Sequence, residues 1–160
     1  MDNLQQIPLT MCLSKVTLAA GTTTTISTTG TTTFSLKGDA LTKTAITNGA
    51  TPTTDFTTGL AFRPIVLNQG TVVVIGFDST GAVKACQGGI EPLTVAGTFV
   101  NAPQFPGIPD TMCPIGYIVL RGGATLASTW TFGTNNLSAV TGMTYTFHDV
   151  CTLPARPQVA

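Results

Sequence analysis

The sequence predicts an all-β fold, an antiparallel β-sandwich or β-barrel (jelly-roll-like) with extended N- and C-terminal arms, and three observations predict it. A β-branched run, "TVVVIGF" at 71–77, meets a turn, "DSTG" at 78–81, and returns as "AVKAC" at 82–86, which is the pattern of a β-hairpin. About eight short runs of this kind recur, with turn signals roughly every eight to twelve residues, as sandwiches and barrels require. No window of about ten residues or more carries a helical period free of Gly, Pro or Thr clusters.

The elements follow in order. Residues 1–9, "MDNLQQIPL", form an arm that Pro8 keeps extended and that is too short to fold alone. The body, residues 10–151, opens with a strand at 10–19, "TMCLSKVTLA", and a second at 24–38, "TTISTTGTTTFSLKG", bent at Gly30. Threonine suits such strands: its branched Cβ fits the pleat and its hydroxyl faces water or pairs across strands, while Ile26, Phe34 and Leu36 supply the apolar side. Further strands are expected at 62–68, "FRPIVLN", in the hairpin, and at 90–100, "IEPLTVAGTFV". A Pro-rich loop at 101–114, "NAPQFPGIPDTMCP", then offers Phe105 and Ile108 among prolines. Strands at 115–122, 124–133 and 143–150 precede a polyproline-like tail at 152–160, "TLPARPQVA".

The two ends and the Pro-rich loop are irregular, moderately apolar and nearly uncharged. Chain ends fray unless something ties them down, so each is either exchanged with a neighbouring subunit, laid on a partner, or folded back on its own domain. The first two possibilities nominate partner-binding residues: Met1, Leu4, Ile7 and Leu9 in the arm, Phe105 and Ile108 in the loop, and Leu153, Arg156 and Val159 in the tail.

Charge sets bounds on partners. Charged residues are 9% of the 160, against roughly a quarter in ordinary soluble proteins, and seven basic side chains balance seven acidic ones. Lys15, Lys37, Lys43, Lys84, Arg63, Arg121 and Arg156 are scattered, whereas a nucleic-acid binder clusters its cations to displace counterions. Nucleic acid and membrane are therefore not expected as partners, and near-zero net charge removes the repulsion that keeps copies apart. The N-terminus has an acid where an export signal has a base, and no run reaches the roughly 18 apolar residues of a membrane span. Synthesis and retention in a cytoplasm are expected.

The four cysteines, Cys12, Cys86, Cys113 and Cys151, form no C-x-x-C pair, so free and mostly buried thiols are expected and no metal site. If a disulfide forms, Cys12 with Cys151 is the pairing to test, because it ties the chain ends together. Other chemistry is sparse. Strand alternation puts the single histidine, His148, and its neighbour Asp149 on opposite faces. Asp39, Asp55, Asp78, Asp110 and Glu91 are single carboxylates in turn-like stretches, and no spacing recommends a catalytic pair. "CQGGIEP" and "RGGAT" lack the lysine and following helix of a phosphate loop. Trp130 or Tyr117 on a shallow face is the feature that a glycan-binding module, or a lytic enzyme, would use. No catalytic residue, cofactor or metal is expected.

"FPGIPDTMCPIGYIVL" at 105–120, followed by "STWTFGTNNLSAVTGMTYTFHDVCTLPARPQ" at 128–158, resembles the C-terminal half of a group of small virion proteins encoded by tailed bacteriophages. The likeness covers 62–158 and extends to the Thr-rich first third in character only. Within that group, capsid cement or decoration proteins are the nearest class: small all-β proteins that sit as trimers on the outer shell and bridge capsomers through arms. The resemblance implies a non-enzymatic virion structural protein on the capsid surface, made in the host cytoplasm. Its partners would be the major capsid protein and further copies of itself, a trimer favoured. A head-fibre or tail-associated protein has the same composition, although no heptad or internal repeat builds a shaft.

Overall fold

The computed structural model describes residues 10–138 and 140–159. Every regular element among them is a β-strand: β1 (Met11–Cys12), β2 (Leu18–Ala20), β3 (Thr25–Thr28), β4 (Thr32–Leu36), β5 (Asp39–Lys43), β6 (Gly49–Ala50), β7 (Gln69–Phe77), β8 (Val83–Gln87), β9 (Glu91–Pro92), β10 (Cys113–Gly122) and β11 (Met143–Asp149). All pair antiparallel, in three sheets. The main sheet runs β11-β10-β7-β8 with β9 also on β7, and two small sheets run β1-β4-β5 and β2-β3-β6. The fold is therefore all-β and sandwich-like, and no closed barrel forms among the described residues.

The main sheet owes its position to β7, whose sequence is a continuous apolar run rather than an alternation. Such a strand must be covered on both faces. Val73, Ile75 and Phe77 point to one side, where Ile118 and Leu120 of β10 meet Leu18, Ile26, Phe34 and Leu36 of the small sheets in one core. Ile26, Phe34 and Leu36 are indeed the buried side of the Thr-rich segment. Val72 and Val74 point to the other side. Among the described residues no sheet covers them; the Pro-rich loop and the tail do.

The hairpin at 69–87 forms as expected, closed by Asp78, whose Oδ1 accepts from the N–H groups of Thr80 at 2.8 Å and Ala82 at 3.0 Å. At 10–19 the single expected strand is two short ones, because the chain bends after Cys12 and turns the Leu13 and Ser14 N–H groups onto the Thr33 carbonyl. Residues 62–68 and 124–133 are not strands. Pro64 lacks the N–H that a ladder needs, and the two segments share only the reciprocal backbone bonds of Ile65 and Trp130, at 2.7 and 2.9 Å, beside the edge-on contact of Phe62 with Phe132. Only Glu91–Pro92 of the run at 90–100 is strand; Leu93 and Phe99 then close a tight loop around Gly97, which has φ +79°.

Two strands have no counterpart among the expected ones. β5 follows β4 through the two-residue loop Lys37–Gly38, and both residues have positive φ (54° and 91°), the signature of a type I′ turn. β6 follows Asn48, at φ 50°. Gly116 shows why glycine interrupts β10: a Cβ there would run into the Leu18 side chain and lie 2.7 Å from the His148 carbonyl oxygen. The main sheet and the β2 sheet can approach only because that atom is missing.

Candidate interaction surface

The second face of the main sheet gathers Val72, Val74, Cys86, Met112, Tyr117 and Val119, all buried. Phe56, Phe99, Phe105, Ile108, Val150, Leu153 and Val159 pack over them from loop and tail. Tyr117 is the anchor. Phe105 meets its ring edge-on at 5.0 Å, His148 stacks on it at 4.7 Å from the neighbouring strand, and its hydroxyl accepts from the Gln158 N–H at 2.9 Å. Arg121 donates to the Val159 carbonyl and lies 5.6 Å over the Phe99 ring. A prolyl tail is already stiff and extended, so laying it on this face costs little conformational entropy.

The structure thus brings Phe105, Ile108, Leu153 and Val159, four of the residues nominated as partner contacts, together on one face, each half-buried against its own domain. The tail folds back on the body that carries it. Arg156 is exposed and, with Phe105 and Ala155, lines a shallow hollow of about 370 Å³. Met1, Leu4, Ile7 and Leu9 lie outside the described residues. The chain that follows them is placed by Thr10, whose Oγ1 accepts from the Lys37 N–H at 3.1 Å in the β4–β5 turn.

Sequence reasoning missed a second surface. Val66 (42% exposed), Leu67 (48%), Val95 (85%) and Val100 (58%) stand in solvent. They belong to two segments joined by the Leu93 N–H to Asn68 carbonyl bond at 2.8 Å, while the Val100 N–H bonds the Pro92 carbonyl at 3.0 Å. The strands expected at 62–68 and 90–100 took in these four residues without marking them as exposed. Pro64 and the "VAG" turn at 95–97 were the signals pointing the other way.

The polar groups singled out for chemistry are held by structural bonds. Asp149 accepts from the Leu18 N–H at 2.8 Å and ties the main sheet to β2. Asp55 is buried, and its carboxylate accepts from the N–H groups of Thr57 (2.8 Å), Thr58 (2.9 Å) and Gln87 (2.6 Å). Asp110 pairs with Lys37 at 2.8 Å on the surface, and Glu91 accepts from Asn101 at 3.3 Å. His148 keeps Nε2 buried without a hydrogen-bond partner, and burial lowers its pKa below the usual imidazole value against the pull of Asp149. Its imidazole is therefore neutral at neutral pH. Trp130 and Tyr117 are 2% and 1% exposed, and the Trp130 Nε1–H donates to the Asn136 carbonyl at 2.8 Å, so neither ring is presented to a sugar. Among the described residues no three His, Cys, Asp or Glu side chains gather as a metal site would require.

Comparison with protein-family models, with curated proteins and with solved structures finds no match to this chain.

Proposed function

We propose that this chain is a virion structural protein without enzymatic activity, a capsid cement protein that binds the major capsid protein, associates with copies of itself as a trimer, and stabilises the head from its outer surface. The observation that carries the reading is the exposed apolar set Val66, Leu67, Val95 and Val100, on a protein with so few charges. The resemblance of 105–120 and 128–158 to tailed-phage virion proteins supports it. Burying an exposed aliphatic side chain is worth about 1.5–3 kcal/mol, so these four contribute several kcal/mol before ordering costs are subtracted. Lattice symmetry repeats the contact many times, so a weak single site suffices.

The test is co-sedimentation of the purified protein with capsid shells that lack it, counting bound copies per particle. Hundreds of copies are expected. A handful would move the protein to a vertex or to a head-fibre or tail position, and none would remove it from the capsid. Val95→Asp with Val100→Asp should abolish sedimentation while leaving thermal stability within about 0.5 kcal/mol, since both side chains already face water.

A further inference from the structure

Three of the four cysteines, far apart in sequence, converge on one end of the sandwich. Cys12 ends β1, Cys113 begins β10, and Cys151 follows β11. The Cys12 N–H donates to the Cys151 carbonyl at 3.0 Å, a bond that joins the first strand of the body to the start of the tail. That bond sets the two residues side by side, and the two thiols lie close enough, as a disulfide between them requires, for the charge of Cys151 to add to burial in raising the Cys12 thiol. The two thiols differ in access: Cys151 is exposed, whereas Cys12 is 1% exposed with its S–H directed to the Ser14 carbonyl at 2.9 Å. Cys113 is fully buried, and burial pushes its thiol up to about 12.

We propose that Cys12 and Cys151 form an oxidation site, taking a low-molecular-weight disulfide as its co-substrate and closing into an intramolecular disulfide that locks the tail to the first strand. Cys151, in solvent, attacks the small disulfide as a thiolate, forming a mixed disulfide and expelling one small thiolate. Cys12 then gives up its proton and attacks the Cys151 sulfur, expelling the second. The protein loses two electrons and two protons, and the co-substrate is reduced to two thiols. Burial also pushes the Cys12 thiol up, which fits it to resolve a mixed disulfide held beside it better than to react first with a reagent in solution. The site does not depend on the capsid reading, since it rests only on the meeting of β1 and the tail.

The reduced full-length chain is incubated with oxidised glutathione, and free thiols are counted after unfolding. The expected count falls from four to two, with a mass loss of two hydrogens, a peptide linking Cys12 to Cys151, and a raised melting temperature. Cys12→Ser should trap glutathione on Cys151, and Cys151→Ser, a change at an exposed position, should leave the remaining thiols unreacted. A lasting glutathione adduct on Cys151 with Cys12 free in the unsubstituted chain would overturn the proposal. So would a disulfide between two chains, a link that includes Cys113, or a Cys151→Ser variant that oxidises as fast as the parent.

Discussion

Asp55 offers the sharpest test of how this fold is held. Its buried carboxylate stitches the turn at 55–59 to β8 by accepting three backbone N–H groups, from Thr57, Thr58 and Gln87. In Asp55→Ala, Thr57 and Thr58 are exposed and recover water as an acceptor, costing about 0.5–1 kcal/mol together, but the partly buried Gln87 N–H is left without its partner, at about 1–3 kcal/mol. The sum, about 1.5–4 kcal/mol, should lower the melting temperature by roughly 8 °C for a chain of this size. Asp55→Asn separates acceptor geometry from mere size. An amide has one oxygen, so whichever way it turns, its NH₂ faces either the turn N–H groups or that of Gln87, donor against donor. The amide variant should therefore lose at least half of what the alanine variant loses, read by circular dichroism during heating and by urea titration. An Asp55→Asn protein within about 0.5 kcal/mol of the parent would refute the stitch.

Other predictions follow from the same bonds. Trp130→Phe should cost about 1–2 kcal/mol by losing the bond to the Asn136 carbonyl and part of the buried ring, and Trp130→Ala about 3–5 kcal/mol, both measured by urea unfolding. Removing residues 153–159 strips two half-buried apolar side chains from the Tyr117 face, so stability should fall by about 2–3 kcal/mol and a hydrophobic dye should bind the truncated protein. His148 has a lowered folded-state pKa, so below about pH 6.5 the unfolded chain takes up a proton that the folded chain resists. Its contribution is therefore intact above that pH and is lost as the pH falls toward the folded value; His148→Gln should flatten this part of the stability curve.

What the sequence disclosed depended on how local the cause was. The 69–87 hairpin is written in a β-branched run beside an Asp-containing turn, and its register follows. The burial of Trp130 has a local cause too, with Phe132 two residues on and also buried. The strand at 39–43 escaped notice because its pattern, with Leu41 as its one large apolar residue, is that of an exposed edge, and its turn uses Lys-Gly in place of the usual Asn-Gly. The exposed valines escaped for the opposite reason: a short apolar run looks the same whether or not a neighbouring strand arrives to cover it. The convergence of Cys12, Cys113 and Cys151 is set by pairing between distant segments, which no local pattern encodes.

The bond between the first strand and the residue after the last one also bears on synthesis. A ribosome adding about 5–20 residues per second needs roughly 8–32 s for this chain, and β1 is made at the start of that interval while its contact at Cys151 is made at the end. β7, too, waits for β10, translated some forty residues later, before its second long edge is paired. The nascent chain must therefore hold its apolar central strand half-dressed until translation is nearly over. A cell making many copies at once would carry a standing pool of such half-paired chains, and a chain with so few charges would give that pool little protection from aggregation.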